Sequence, residues 1–108
     1  MDRSIKPDTL KNDLVANPAG KLILDVRRAA DREAAPEHLA GAQWKNPEQL
    51  AEWADSLPQD REIVLYCARG GSVSNSVVDA LQGKGMNARF IEGGIEAWKA
   101  AGGEVVGK

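Results

Sequence analysis

The feature that most constrains this chain is an apolar run over residues 62–66 that ends at the only cysteine, Cys67. Two glycines, Gly70 and Gly71, follow in a short loop, and apolar residues recur with helical spacing from Ser72 onward. The run is too short for a helix and is typical of a buried strand. A strand, a tight loop and a helix start bring several backbone N–H groups to one point, which favours an anion there. The sequence therefore predicts a loop that holds a thiolate.

The rest of the chain alternates between short apolar runs and segments with helical spacing. The predicted strands are 21–26, 41–44, 62–66 and 88–91, and the predicted helices are 7–17, 46–57, 72–81 and 94–101, with a loop and a helical turn over 27–37. This alternation favours a parallel sheet covered on both faces. We expect one domain over residues 1–108, with a core at about 4–102 and a flexible, glycine-rich C-terminal tail.

Composition excludes several function classes. A net charge of −2 over 108 residues gives no basic surface for nucleic acid. The absence of a long apolar run predicts no contact with a membrane, and the N-terminus lacks the apolar stretch of a signal peptide, so we expect a cytoplasmic protein. One cysteine and one histidine permit neither an internal disulfide nor a Cys-x-x-Cys pair nor a Cys/His metal site. We expect no cofactor, and the small size favours a monomer.

Cys67 is the candidate nucleophile. An unperturbed thiol has a pKa of about 8.5, and lowering it by about two units needs roughly 2.7 kcal/mol of preferential stabilisation of the thiolate. A helix N-terminus together with direct hydrogen bonds can supply that amount. The alternative is that Cys67 is simply a buried core residue. The residues that follow it are small, polar or basic, which a core position does not require, and this favours a functional thiol.

Four segments in order resemble a single-domain rhodanese, a sulfurtransferase domain, across nearly the whole chain. These are Leu24-Asp25-Val26-Arg27, His38-Leu39-Ala40-Gly41-Ala42, the loop from Cys67 to Ser72, and Glu92-Gly93-Gly94-Ile95-Glu96-Ala97-Trp98 with Gly102. The resemblance implies a three-layer α/β/α fold around a five-stranded, mainly parallel sheet. It also implies that Cys67 takes sulfur from a donor such as thiosulfate, holds it as a persulfide, and passes it to cyanide or a thiol, including a protein thiol.

The resemblance also assigns roles to other residues. The backbone N–H groups of Ala68, Arg69, Gly70, Gly71 and Ser72 would surround the persulfide. Arg69, the only cation of the loop, would attract an anionic donor or act as a solvated or structurally paired arginine. Ser72 stands where many family members carry arginine, which leaves the preference for thiosulfate open. Three residues outside the loop are expected to be structural: Asp25, Arg27 and His38.

Other functions are compatible with some of the same residues. A sulfur carrier or a recognition module on the same fold is the main alternative, because a retained cysteine does not separate a carrier from a transferase. A cysteine-dependent phosphatase or arsenate reductase needs a longer loop that ends in arginine, whereas Val73 stands at that position. A nucleotide site is disfavoured, because Gly83 to Gly85 follow a helix rather than a strand. The tryptophans Trp44, Trp53 and Trp98 are expected in the core.

Overall fold

A computed structural model describes residues 4–17, 20–34, 37–57, 61–67 and 72–107, with Ser72 described by its backbone. The elements in chain order are β1 Ser4–Ile5, α1 Pro7–Ala16, β2 Lys21–Asp25, α2 Ala29–Ala34, β3 His38–Leu39, β4 Gln43–Trp44, α3 Leu50–Trp53, β5 Glu62–Tyr66, α4 Ser72–Gly83, β6 Ala88–Ile91, α5 Gly94–Ala100 and β7 Val105–Val106. Within these ranges no helix combines the length and apolarity needed to cross a membrane.

The main sheet has five parallel strands in the order β1-β6-β5-β2-β4. β5 lies at its centre, with Leu65 level with Leu24 of β2 and with Phe90 of β6. β5 is buried on both faces, as expected for the middle of a parallel sheet, and its sequence is correspondingly a nearly continuous apolar run. The five-stranded α/β fold expected from the sequence is confirmed.

Alternate side chains of β5 enter two separate cores. Ile63 and Leu65 pack in a core whose other members include Val77, Val78 and Leu81 of α4 and Trp53 of α3. Val64 and Tyr66 pack in a second core with Leu10 of α1 and with Ile95 and Trp98 of α5. Because the side chains of a strand point alternately to its two faces, helices cover both sides of the sheet. The expected three-layer arrangement follows from this division.

The predicted helix over 46–57 is broken into three short pieces. A 3₁₀ turn over Pro47–Gln49 precedes α3, and a second over Ala54–Ser56 follows it. The indole Nε1 of Trp53 donates to the carbonyl oxygen of Asn46 at 2.8 Å, and the Asn46 side chain accepts from the Glu48 N–H. The segment therefore changes from 3₁₀ to α and back to 3₁₀ geometry, and the prediction of a single helix is wrong.

The chain beyond residue 102 takes part in a second, two-stranded sheet. β7 pairs antiparallel with β3, with Val106 level with His38 and Val105 level with Leu39. Before β7, the indole Nε1 of Trp98 donates to the carbonyl oxygen of Glu104 at 2.9 Å. Ordered pairing therefore extends past the predicted core boundary at residue 102, and His38 forms part of this small sheet.

Candidate functional site

Cys67 lies directly after β5, at the carboxyl end of the central strand. Ligand sites of open parallel sheets are found at this edge, because the loops and helix N-termini that follow the strands gather there. The side chain is 7% exposed. The residue before it is held by β2, since the N–H of Val26 donates to the carbonyl oxygen of Tyr66 at 2.9 Å. The thiol therefore directly follows a strand that is paired on both sides, with β2 and with β6.

The backbone of Cys67 also forms a hydrogen bond with α5. Its carbonyl oxygen accepts a hydrogen bond from the N–H of Ile95, at 3.1 Å, in the first turn of α5. Gly93 and Gly94 have φ angles of +76° and +63°, in the left-handed region that favours glycine. A Cβ on Gly93 would lie 2.5 Å from the Cβ of Ala97. The two glycines therefore permit the sharp entry into α5 that brings Ile95 to Cys67.

α4 begins at Ser72, five positions after Cys67, and runs for 12 residues. Its apolar positions face the sheet, with Val77, Val78 and Leu81 buried. Its first N–H groups have no partner within the helix, and the helix dipole gives this end a partial positive charge. Residues Ala68, Arg69, Gly70 and Gly71 and the side chain of Ser72 lie outside the described residues, so their roles in surrounding the sulfur remain predictions.

Asp25 and Arg27 form a buried ion pair beside this edge of the sheet. Arg27 Nε lies 3.0 and 3.1 Å from the two carboxylate oxygens of Asp25, and a terminal guanidinium nitrogen lies 2.7 Å from Oδ2. The same nitrogen donates to the carbonyl oxygen of Glu37 at 2.9 Å. Burial alone would lower the pKa of Arg27, but its hydrogen bond with Asp25 and the charge of Asp25 raise it overall. The expected framework pairing of Asp25 with Arg27 is confirmed.

Tyr66, the residue before the cysteine, is fixed by the same framework. Its ring lies 5.8 Å from the Arg27 guanidinium carbon, and its hydroxyl oxygen accepts from the Leu39 N–H at 3.2 Å. Burial, followed by the negative charge of Asp25, raises the pKa of the phenol well above its ordinary value. Tyr66 is therefore neutral at physiological pH, and its position suits packing and orientation of β5 rather than proton transfer.

Two features of this edge could not be predicted from the sequence, and the prediction for Trp44 was wrong. The bond from Ile95 to Cys67 and the complete burial of Ser74 depend on how α5 and α4 dock, which local spacing does not reveal. Trp44 is half-buried rather than in the core: its indole donates to the carbonyl oxygen of Arg27, and the Arg32 guanidinium lies 5.2 Å from its ring. Trp53 and Trp98 are buried as expected.

One cleft of the described molecule lies away from Cys67. It has a volume of about 630 Å³ and is lined by the first residues of β2, including Lys21 and Leu22, and by Leu14 and Val15 of α1. Because β2 and Cys67's strand β5 run parallel, the start of β2 marks the opposite edge of the sheet. This cleft therefore lies at the edge of the sheet opposite to the one that carries Cys67.

Comparison with known proteins gives a consistent family. The Rhodanese-like domain model matches residues 6–101. A tRNA sulfurtransferase of Desulfurococcus amylolyticus is 33% identical over 87 residues, which are 77% of this chain but only 16% of that protein. The thiosulfate sulfurtransferase GlpE of Coxiella burnetii is 32% identical over 80 residues, or 73% of this chain and 72% of the relative.

Solved structures agree with the sequence comparison. A rhodanese-related protein from Thermoplasma volcanium superposes with a TM-score of 0.81 at 28% identity, covering 98% of this chain and 99% of that one. A rhodanese-like domain protein from Staphylococcus aureus gives a TM-score of 0.79 at 30% identity, with 98% of both chains covered. The family match, the relatives named as sulfurtransferases and the shared fold lead to one conclusion: the chain belongs to the Rhodanese-like domain family.

Proposed function

We propose that the protein is a sulfurtransferase that carries a sulfane sulfur as a persulfide on Cys67. The observation that carries the proposal is the position of Cys67, at the carboxyl end of the central strand and five residues before the start of α4. A thiol five residues before a helix start is expected near the positive end of the helix dipole, where a thiolate and a persulfide anion are both stabilised, and Cys67 is the only thiol of the chain. Membership of a family with named sulfurtransferases supports the same chemistry.

The reaction consists of two exchanges at sulfur. The Cys67 thiolate attacks the outer sulfur of thiosulfate, forming a new S–S bond while the S–S bond of thiosulfate breaks and sulfite leaves with the electron pair. The enzyme then holds Cys67–S–S⁻. An acceptor such as cyanide attacks the outer sulfur, thiocyanate leaves, and the Cys67 thiolate is restored. Charge and electrons balance in each step without an external oxidant, and the covalent intermediate predicts ping-pong kinetics.

One thiol is sufficient for this cycle. Disulfide exchange within the chain would need a second cysteine to resolve the intermediate, and the sequence has none. A persulfide needs no resolving thiol, because its outer sulfur leaves with an acceptor from outside. We propose thiosulfate as the first donor to test, since the GlpE relative is named for it, and cyanide or a small or protein thiol as the acceptor.

A turnover assay tests the proposal. Purified protein with thiosulfate and cyanide is expected to release thiocyanate, with initial rates that give parallel lines in double-reciprocal plots. Cys67→Ser removes the nucleophile while keeping nearly the same volume, and should abolish turnover. Thiocyanate release that persists in the variant contradicts the proposal. If the wild type accepts sulfur on Cys67 but releases almost no thiocyanate, the protein is a sulfur carrier instead of a free-standing transferase.

A further inference from the structure

Ser74 is an unusual residue in the first turn of α4. Its side chain is completely buried, with 0% exposure. Among the side chains that the structure describes, its Oγ is the one buried oxygen or nitrogen that has no hydrogen-bond partner. Buried hydroxyl groups nearly always find a partner, because leaving one unpaired destabilises the folded protein. A hydroxyl buried in this way is available to a hydrogen-bond partner that arrives when the protein binds or holds another group.

The direction of the side chain follows from its place on the helix. Ser74 precedes Val77 and Val78 by three and four residues, so it lies on the same face of α4, the face packed on the sheet. The Cα–Cβ bonds of a helix tilt toward its N-terminus, and a side chain covers the turn before its own Cα. The Ser74 hydroxyl is therefore directed toward the N-terminal end of α4 on the sheet side. This end follows Cys67 by five residues in the chain.

We propose that the Ser74 hydroxyl donates a hydrogen bond to the outer sulfur of the Cys67 persulfide and thereby stabilises the loaded state. The inference rests on the proposed function and adds a residue to it. The outer sulfur carries the negative charge after sulfite leaves, and a hydroxyl can donate to it without changing its own protonation. In the unloaded protein the same hydroxyl has no partner among the described residues, so the hydrogen bond favours the persulfide over the free thiolate. Ser74 thus holds the outer sulfur in position once Cys67 carries the persulfide.

Two serines of one helix provide a matched test. Ser74→Ala removes the buried hydroxyl, and Ser76→Ala makes the same change two residues later at an exposed position. Both replacements exchange serine for alanine in the same helix, so the main difference between them is the loss of the buried hydroxyl. Wild type and both variants are equilibrated with fixed ratios of thiosulfate to sulfite, and the fraction of Cys67 persulfide is measured by mass spectrometry after rapid quenching. The melting temperature of loaded and unloaded protein is measured in parallel.

We expect Ser74→Ala to lower the equilibrium constant for loading about tenfold, while Ser76→Ala leaves it at the wild-type value. We also expect unloaded Ser74→Ala to melt at least about 4 °C above unloaded Ser76→Ala, because it no longer buries an unpaired hydroxyl. Linkage then requires loading to stabilise the wild type more than the Ser74→Ala variant.

The contrary results are distinct. Equal loading constants for Ser74→Ala and Ser76→Ala, with wild-type Cys67 loaded, overturn the role of Ser74 and leave the persulfide mechanism standing. A lower melting temperature of unloaded Ser74→Ala than of Ser76→Ala also overturns it, because the hydroxyl would then have a stabilising partner in the unloaded protein. If neither thiosulfate nor polysulfide loads wild-type Cys67, the proposed function fails, and the role of Ser74 fails with it.

Discussion

The N–H of Ile95 donates a hydrogen bond to the carbonyl oxygen of Cys67 at 3.1 Å, which ties the first turn of α5 to the end of the central strand. The bond connects two segments that are far apart in the sequence, the cysteine loop and the Gly93-Gly94 turn. The turn therefore contributes to the position of the nucleophile, although neither glycine has a side chain that could take part in chemistry.

Replacement of Gly93 by alanine is expected to destabilise the protein by about 2–4 kcal/mol. The alanine would have to keep the positive φ of this position, which is strained for a residue with a Cβ. The Cβ would also lie 2.5 Å from the Cβ of Ala97, so α5 must shift. Urea unfolding gives the change in free energy. Gly83→Ala is the control, because a Cβ there meets nothing within 4 Å and its φ is not positive, and it should change stability by no more than about 1 kcal/mol. Equal stability of the two variants would contradict the role assigned to the turn.

The buried Asp25–Arg27 pair predicts a large effect of a small change. Asp25→Asn removes the negative charge and leaves the Arg27 guanidinium buried without it, which should cost about 3–5 kcal/mol in the free energy of unfolding. Asp55→Asn makes the same chemical change in an exposed pair with Lys84 and should cost less than about 1 kcal/mol. If the two variants unfold at the same denaturant concentration, the pair is not the structural element described above.

Glu62 predicts an acid dependence of stability. It pairs with Lys21 and Arg89 on the neighbouring strands. Burial alone would raise the pKa of Glu62, but the hydrogen bonds from Lys21 and Arg89 lower it below the ordinary value of 4.5. A carboxyl whose pKa is lowered by folding contributes stability that is present above about pH 4.5 and is lost as the pH falls through the folded pKa.

The test compares unfolding free energies between pH 7 and pH 3. Glu62→Gln should be less stable than the wild type by about 1–2 kcal/mol at pH 7, and this difference should shrink as the pH falls. The exposed Glu52 supplies the control, since Glu52→Gln should follow the wild-type curve closely. A difference between Glu62→Gln and the wild type that stays constant down to pH 3 would rule out this linkage.

Gly103 lies past the expected core boundary at residue 102, and we expect it to contribute to stability. A Cβ on Gly103 would lie 2.1 Å from Cε2 of the buried Trp98 indole. Gly103→Ala should therefore destabilise the protein by about 1–3 kcal/mol and loosen the pairing of β7 with β3. Gly107→Ala, where a Cβ meets nothing within 4 Å, is the control. Hydrogen exchange at the Ala40 amide, which donates to the carbonyl oxygen of Glu104 just before β7, should quicken only in the Gly103 variant; unchanged exchange in both would contradict this.

The central part of the fold is readable from local sequence, and the edges are not. β5 and β6 match their predicted ranges because a buried parallel strand leaves a compact apolar run bounded by turn residues. β1, β3 and β7 have two residues each, which is too few to show a period. They exist because distant segments pair with them, as Ser4 does with Phe90 and His38 with Val106. Such pairings are properties of the assembled sheet.

The site divides in the same way. Cys67 is recognisable because its local pattern of strand, glycines and helix start is itself the chemical requirement. The framework role of Asp25 and Arg27 follows from the family resemblance. Ser74 is hidden, since a serine in the first turn of a helix usually faces water or caps the helix, and only the docking of α4 on the sheet shows that its hydroxyl is buried and unpaired.

The most direct measurement of the central claim is the mass of the protein after exposure to a sulfur donor. Wild-type protein treated with thiosulfate, freed of excess donor and analysed without reductant should gain the mass of one sulfur atom, located on the peptide that contains Cys67. Addition of cyanide should restore the original mass, and Cys67→Ser should never gain it. A folded wild-type protein with a titratable Cys67 thiol that gains no sulfur from thiosulfate, polysulfide or glutathione persulfide would contradict the persulfide account.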